Sequence, residues 1–337
     1  MPSVPPNPDE TSRAQGEAFR RLLQQAEAEI SKVIIGQQRM VHAIFCALLA
    51  RGHILLEGVP GLAKSLTVAT FARLIGGTFK RIQFTPDKLP SDITGTTIYN
   101  QATATFSFNQ GPIFCNILLA DEINRAAPKV QSALLEAMQE KVVSIDRDQH
   151  HLPDLFMVLA TMNPVEQLGT YPLSEAQLDR FIAKVELSYP AEPDEALLLH
   201  KKSRDFEAIQ KALPQLLSPE QVLAMQAHVA NEVTVSDRVI AYLLQICLRT
   251  RPGSPQTSGA VDKYIAVGVS PRGGEHLISF CKSHAFLQGR NFVSYEDIDA
   301  CAATVFGHRL ILSDTAFLEG IRPAEIIRKI IGEVSLY

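Results

Sequence analysis

The chain has 337 residues, enough for two domains with a sizeable core, and a formal net charge of −4 at pH 7. That charge excludes a global basic field of the kind that attracts nucleic acids or anionic membranes. The five cysteines form no C-x-x-C pair, which favours buried thiols of a reducing compartment over disulfides or a zinc site. With neither a signal-peptide pattern nor a long apolar span, the sequence predicts a cytoplasmic protein.

The first 49 residues predict a tail and two helices. Residues 1–9 carry four prolines and are predicted to be a disordered tail. Apolar and small residues at helical spacing predict one helix over Glu10–Ser31 and another over Gln37–Leu49. An apolar patch, Val33-Ile34-Ile35-Gly36, lies between them.

Residues 53–75 have the layout of a phosphate-binding loop. An apolar run predicts a strand, Gly58-Val59-Pro60-Gly61-Leu62-Ala63-Lys64-Ser65 follows it, and Leu66–Ile75 predicts a helix. Such a loop turns backbone N–H groups towards a triphosphate, with the lysine on the β and γ phosphates and the serine on Mg²⁺. Ala63 replaces the usual second glycine, and because alanine disfavours positive φ we expect right-handed or extended backbone there. The alternative is an ordinary Gly/Pro turn before a helix.

The rest of the chain predicts more strands, then helices only. Four further strands are predicted over residues 79–84, 116–120, 155–160 and 183–187. Residues 96–109 and 141–151 predict β-hairpins, of which the first has polar faces that suit either a contact device or a surface excursion. The fold prediction is an α/β domain over residues 10–190 with a five-stranded parallel sheet, followed by a smaller helical domain over residues 191–337.

Polar side chains follow two of the predicted strands at the end where open α/β sheets bind ligands. Asp121 could hold Mg²⁺, and Glu122 could accept a proton from an attacking water. Asn163 is placed to hydrogen-bond a γ-phosphate or that water. The alternatives are an exposed Asp-Glu turn and a plain Asn-Pro turn.

Two arginines are candidates for stabilising phosphate charge. Arg180 is the candidate finger supplied to a neighbouring subunit's site, and its alternative is a surface salt bridge. Arg272 opens a predicted helix, where a cation opposes the helix dipole, so its position favours a bound anion over an ordinary surface charge.

Six segments together resemble the MoxR group of AAA+ ATPases over nearly the whole chain. They are GVPGLAKS at 58–65, LADEINRAAPK at 119–129, QSALLEAMQE at 131–140, ATMNP at 160–164, LSEAQLDRF at 173–181 and SPRG at 270–273. The resemblance implies an AAA+ P-loop NTPase core with a helical lid, and hydrolysis of ATP with Mg²⁺. In that family alanine is common in place of the second loop glycine.

The resemblance also implies roles for single residues. Lys64 and Ser65 belong to Walker A, Asp121 and Glu122 to Walker B, and Glu122 is the catalytic glutamate. Ser65 and Asp121 hold Mg²⁺. Asn163 matches sensor 1, Arg180 the arginine finger and Arg272 sensor 2. The residues implied to bind ATP are Ile34, Ile35, Gly36 and Gln37 at the adenine and Gly58, Val59, Pro60, Gly61, Leu62, Ala63, Lys64, Ser65 and Leu66 at the phosphates.

The resemblance implies a hexameric ring, with the two hairpins facing its pore or its substrate. MoxR-like ATPases resemble chaperones that activate partner complexes, often with a protein bearing a von Willebrand A domain. The alternatives are a nucleic-acid motor or loader, a metal-chelatase motor subunit and a nucleotide-gated binding module without turnover. The acidic charge and the lack of an attached DNA-binding domain favour the chaperone-like function, and the hydrolytic residues argue against the last alternative.

Overall fold

The computed structural model describes residues 8–102, 104–146, 148–164, 169–202 and 212–334. The chain divides into two compact units, one from Val33 to Pro219 and the other made of the segment up to Lys32 with the segment from Glu220. In this division the first helix groups with the C-terminal helices, whereas the prediction of a domain over residues 10–190 keeps it with the sheet. Residues 1–7 of the predicted tail lie outside the described residues, and Pro8 and Asp9 begin the first helix.

The secondary structure alternates between strands and helices up to the end of the sheet and is mainly helical afterwards. The elements up to residue 202 are α1 (Pro8–Val33), α2 (Gln38–Leu49), β1 (Ile54–Glu57), α3 (Lys64–Ile75), β2 (Phe79–Gln83), α4 (Ser91–Thr94), β3 (Gly95–Asn100), β4 (Thr105–Gln110), β5 (Ile117–Asp121), a 3₁₀ turn (Ile123–Arg125), α5 (Pro128–Glu140), β6 (Val142–Ile145), β7 (Asp148–His151), β8 (Met157–Met162), α6 (Glu175–Leu178), β9 (Ala183–Glu186) and α7 (Glu192–Lys202). The later elements are α8 (Pro219–Glu232), α9 (Asp237–Arg249), α10 (Gly259–Asp262), β10 (Ile265–Val267), α11 (Pro271–Leu287), α12 (Tyr295–Phe306), β11 (Ile311–Leu312), α13 (Asp314–Leu318) and α14 (Pro323–Glu333).

The core of the Val33–Pro219 unit is a five-stranded sheet in the order β2-β5-β8-β1-β9, and all its pairings are parallel. Every residue of β5 is buried, which explains why this strand is a continuous apolar run rather than an alternating one. The predicted five-stranded parallel sheet is confirmed. The register pairs Gln83 with Asp121 and Glu57 with Met162, so neighbouring strands end together at one edge.

Two antiparallel hairpins project from this unit, β3–β4 and β6–β7. They contact each other, because Thr97 Oγ1 donates a hydrogen bond to Asp146 Oδ2 (2.8 Å) and the Phe108 ring stacks on His150 with centroids 4.0 Å apart. In β3–β4, Tyr99 and Phe106 are paired across the strands and are both exposed. Aromatic side chains therefore lie on the solvent face of the first hairpin.

The C-terminal helices are fixed by buried polar contacts as well as by apolar packing. Asp297, 1% exposed, accepts hydrogen bonds from Arg290 Nη1 and Nη2 at 2.6 and 2.5 Å and from the Ser294 backbone N–H at 2.8 Å. The last of these contacts completes the capping box at the start of α12. The strands β10 and β11, of three and two residues, are not predicted by the sequence, since they are too short to show an alternating pattern. In the described part of the chain no helix is both long and apolar enough to span a bilayer.

His53 joins the sheet to the end of α5. Its Nδ1 accepts a hydrogen bond from the Val158 backbone N–H (3.0 Å), and its Nε2 therefore donates to the Met138 carbonyl (3.1 Å). The ring is buried, and burial lowers the pKa of His53 to about 4. The folded protein thus requires this imidazole to be neutral.

Acid should destabilise the protein through His53. The folded-state pKa of about 4 lies below the value of about 6.5 expected in the unfolded chain. The neutral ring therefore makes its full contribution to the free energy of unfolding above about pH 6.5, and this contribution is lost as the pH falls towards 4. We expect about 3 kcal/mol of the free energy of unfolding to disappear over this window.

Urea unfolding of the wild type and of His53→Gln, measured across that pH window, tests this expectation. Glutamine takes up no proton, so the variant should lose less stability on acidification, while the carboxylates titrate alike in both proteins. Identical pH dependences in the two proteins would contradict the assignment to His53.

Candidate nucleotide-binding site

A cavity of about 620 Å³ lies in the Val33–Pro219 unit at the edge where the parallel strands end. It is lined by the phosphate loop, by polar residues after β5 and β8, and by apolar residues from the segments next to α2 and α7. Its lining residues are Val33, Ile35, Gln37, Pro60, Gly61, Leu62, Ala63, Lys64, Ser65, Leu66, Asp121, Glu122, Asn163, Tyr189, Pro190, Glu195, Leu198 and Leu199. Residues from five separate segments of the sequence therefore share one cavity.

Four of the predicted binding residues, Ile34, Gly36, Gly58 and Val59, do not line this cavity. The two glycines among them are packed closely against other residues instead. A Cβ on Gly36 would lie 2.9 Å from Pro190 Cβ, and one on Gly58 would lie 2.9 Å from Leu187 Cβ. Glycine at position 36 therefore lets the segment before α2 pack against Pro190, and glycine at position 58 lets the phosphate loop pack against Leu187.

Sequence reasoning did not find the wall that follows β9. This wall consists of Tyr189 and Pro190 together with Glu195, Leu198 and Leu199 on α7, and none of these residues belongs to a motif. A hydrogen bond from Gln37 holds this wall in place. Gln37 Nε2 donates to the carbonyl of Ser188 (3.0 Å), which lies 151 residues later in the sequence. No local pattern signals such a contact.

The expectation of right-handed or extended backbone at Ala63 is wrong. Ala63 has φ 58° and ψ 19°, in the left-handed region, immediately before α3 begins at Lys64. Its carbonyl already accepts the first bond of the helix from the Thr67 N–H (2.8 Å). The loop thus turns sharply into the helix at a residue that has a Cβ, with an expected strain of about 1–2 kcal/mol.

Lys64 reaches back over the loop. Its Nζ donates to the carbonyls of Gly58 (2.6 Å) and Met162 (3.3 Å). Burial lowers the pKa of the Lys64 ammonium, while Asp121, Glu122 and Glu57 act in the opposite direction. The cation is therefore held at the cavity by weak carbonyl acceptors, which an anion can replace.

Asp121 is the most connected carboxylate of the site. Its Oδ1 accepts a short bond from Thr161 Oγ1 (2.6 Å). Its Oδ2 accepts from Ser65 Oγ (3.3 Å) and from Arg81 Nη2 and Nε at 2.7 and 3.1 Å. One oxygen is thus fixed by a buried hydroxyl, and the other lies beside the serine at the start of α3.

Glu122 also occupies the left-handed region, with φ 58° and ψ 50°. Its N–H donates to Thr161 Oγ1 (2.9 Å), so one hydroxyl holds both adjacent acidic residues. Its carboxylate accepts from Gln83 Nε2 (2.9 Å) and from Arg125 Nη1 (3.2 Å). Strained backbone of this kind persists only where surrounding contacts determine it, and it is common at functional sites.

The three remaining candidates lie in different surroundings. Asn163 is buried and lines the cavity. Arg180 is half-buried outside the cavity lining, and its guanidinium makes no hydrogen bond or ion pair within the described residues. Arg272 is the second residue of α11, in the other compact unit. The roles of Asn163, Arg180 and Arg272 therefore remain predictions.

The residues of the cavity fit a magnesium nucleotide. Ser65 Oγ and Asp121 Oδ2 are oxygen ligands of the type that Mg²⁺ prefers, and they lie 3.3 Å apart. The N-terminus of the 12-residue helix α3, with Lys64 beside it, suits the phosphates. The apolar residues at the other end suit a base.

Ala63→Gly should stabilise the protein, because glycine adopts the left-handed conformation without strain. We expect the free energy of unfolding to rise by about 1 kcal/mol in urea unfolding. Ala69→Gly, the same change inside α3, is the matched control and should lower it by about 1 kcal/mol. A fall of similar size in both variants would show that Ala63 is not strained.

Comparisons with known proteins agree with this geometry. Residues 53–183 match the ATPase family associated with various cellular activities (AAA), and residues 258–330 match the AAA lid domain. The chain is 41% identical over 314 residues to Chaperone MoxR1 of Mycobacterium tuberculosis, covering 93% of this chain and 82% of that protein. It is 42% identical over 325 residues to the uncharacterized protein YeaC of Bacillus subtilis, covering 96% and 97% of the two chains.

A solved structure shows the same fold. It is a crystal structure of a "putative ATPase" from Cytophaga hutchinsonii, with a TM-score of 0.90 and 41% identity over 97% of this chain and 98% of that chain. The protein MoxR of Paracoccus denitrificans is 31% identical over 302 residues, which cover 86% of this chain and 88% of that protein. The chain is similar to these relatives over most of their length, and it has the phosphate loop and the paired carboxylates at one sheet edge. It therefore belongs to the MoxR family of AAA+ ATPases.

Proposed function

We propose that this protein binds ATP with Mg²⁺ and hydrolyses it to ADP and phosphate. The observation that carries the proposal is the single cavity that gathers Lys64, Ser65, Asp121, Glu122 and Asn163. Phosphoryl transfer to water requires a phosphate cradle, a metal, a positioned water and positive charge near the γ-phosphate. Each of the first three requirements has a residue of suitable chemistry in this cavity.

The phosphates bind to the backbone N–H groups of the loop and of the first turn of α3. Lys64 exchanges its carbonyl acceptors for phosphate oxygens, which are stronger acceptors for an ammonium group. Ser65 and Asp121 hold Mg²⁺, which when bound neutralises charge on the β and γ phosphates.

Hydrolysis depends on residues that act on the water. Glu122 takes the proton of the attacking water, and its partners Gln83 and Arg125 set the orientation of its carboxylate. The amide of Asn163 orients the water or the γ-phosphate from the end of β8. The adenine lies between Ile35, Leu198 and the other apolar residues of the cavity wall.

Two arginines, Arg180 and Arg272, bear on whether the protein works as a ring of subunits. The guanidinium of Arg180 makes no hydrogen bond or ion pair within the described residues and lies outside the cavity lining, which supports a role in the site of a neighbouring subunit rather than in its own. We propose a hexamer with Arg180 as the finger and Arg272 as the sensor of the nucleotide from the helical unit.

The ring is proposed to act as a chaperone-like remodeller of protein complexes in the cytoplasm. The name of the relative Chaperone MoxR1 supports this activity, and five free, buried cysteines suit a reducing compartment. A von Willebrand A domain protein is the proposed partner class. The exposed Tyr99 and Phe106 of the first hairpin suit contact with a protein client.

Lys64→Ala should abolish ATP binding, because the loop then loses its only charge on the β and γ phosphates. Glu122→Gln should keep ATP binding and lower steady-state turnover by about 100-fold or more. Fluorescence titration with a labelled nucleotide and phosphate release measure the two effects. Lys80→Ala, an exposed lysine on β2, is the control. Unchanged binding in Lys64→Ala would contradict the phosphate-loop assignment.

Arg180→Ala should retain ATP binding and lower turnover by about 1,000-fold if the arginine acts in the next subunit. Mixing this variant with Glu122→Gln should then restore activity, since about one interface in four pairs an intact Glu122 with an intact Arg180. Arg125→Ala is the matched control, because Arg125 bonds Glu122 of its own chain and should not be complemented by Glu122→Gln. No recovery in the Arg180→Ala mixture, with mixed assembly shown by mass, would contradict the trans role.

A further inference from the structure

Arg81 occupies the oxygen of Asp121 that a metal ion would use. Arg81 lies on β2, the edge strand next to β5, and its Nη2 and Nε lie 2.7 and 3.1 Å from Asp121 Oδ2. Ser65 Oγ donates to the same oxygen at 3.3 Å, while Oδ1 is taken by Thr161. The two lone pairs of Oδ2 are therefore already used by a hydroxyl and a guanidinium.

A guanidinium and Mg²⁺ are poor neighbours on one carboxylate oxygen. Both are cations, and at a separation of a few ångström they repel each other strongly in a partly desolvated site. The carboxylate of Asp121 is 11% exposed, whereas the side chain of Arg81 is 53% exposed. Arg81 can therefore leave into water, but Asp121 cannot.

We propose that Arg81 is a displaceable counter-ion of the metal site, an inference that rests on the Mg²⁺-dependent function proposed above. Without metal it neutralises the buried Asp121 carboxylate, and when the metal binds it moves away from Oδ2. It is a positioning residue: it sets how tightly the site takes the metal, and it takes no part in hydrolysis. Its second contact, from Nη2 to Gln83 Oε1 (3.1 Å), keeps it at this edge of the sheet.

If Arg81 has this role, removing its charge should strengthen metal binding and lower the stability of the protein without metal. In Arg81→Gln, the metal no longer has to displace a cation, so binding of Mn²⁺ with ADP should tighten about fivefold. In the absence of nucleotide and with EDTA, the same variant leaves a buried carboxylate without its cation and should melt about 2–4 °C lower. A residue that only supported the fold would weaken both properties.

The experiment measures free Mn²⁺ by electron paramagnetic resonance at fixed ADP, and melting of the same proteins with EDTA. Lys80→Gln is the matched control, since it removes one charge from the neighbouring position of β2, on the opposite face of the strand, and should change neither value. Arg81→Met, which keeps an aliphatic stem but cannot bond Asp121, should behave like Arg81→Gln.

Tighter Mn²⁺ binding with a lower melting temperature in both Arg81 variants supports the proposal. Unchanged or weaker Mn²⁺ binding in these variants, while the wild type binds Mn²⁺ and ADP, would overturn it and leave the proposed function intact. Failure of the wild type itself to bind Mn²⁺ with ADP would instead overturn the proposed function.

Discussion

The parallel register of the sheet is the constraint on which the site depends. Because all five strands run in one direction, their carboxyl ends gather at one edge, and Gln83 pairs with Asp121 as Glu57 pairs with Met162. Backbone groups beyond the last pair have no sheet partner, so this edge must be covered by loops and polar side chains. The phosphate loop and the acidic residues lie there for that reason, as ligands do in other open α/β sheets.

The acidic residues at this edge are held by neighbours rather than left exposed. Thr161 donates to Asp121 and accepts from the N–H of Glu122, which fixes the relative position of the two carboxylates. A buried carboxylate without partners would destabilise the fold by several kcal/mol. Partners on half-exposed side chains, Arg81 for Asp121 and Arg125 for Glu122, satisfy this need. The same ion pairs that stabilise the fold therefore also position the carboxylates of the candidate site.

Left-handed backbone occurs at two non-glycine residues of the cavity, Ala63 and Glu122. Ala63 ends the loop and stands directly before the start of α3, and Glu122 follows β5 and donates its N–H to Thr161 Oγ1. The expected strain of about 1–2 kcal/mol at each position is small compared with the packing of the buried sheet beneath them. Departures from local conformational preference are expected at functional sites, because surrounding structure determines the geometry there.

Local sequence patterns predict the parallel sheet, the loop before α3 and the pair Asp121-Glu122 after β5, because periodicity, turn chemistry and motif spacing are properties of neighbouring residues. The contacts of Arg81 and the cavity wall that includes Leu198 become visible only in the folded chain. Those contacts join residues that are tens to more than a hundred positions apart, and their geometry depends on strand order and register. Local patterns carry no information about either, so the conformation of a single residue such as Ala63 and the partner of a single charge are settled only when the chain has folded.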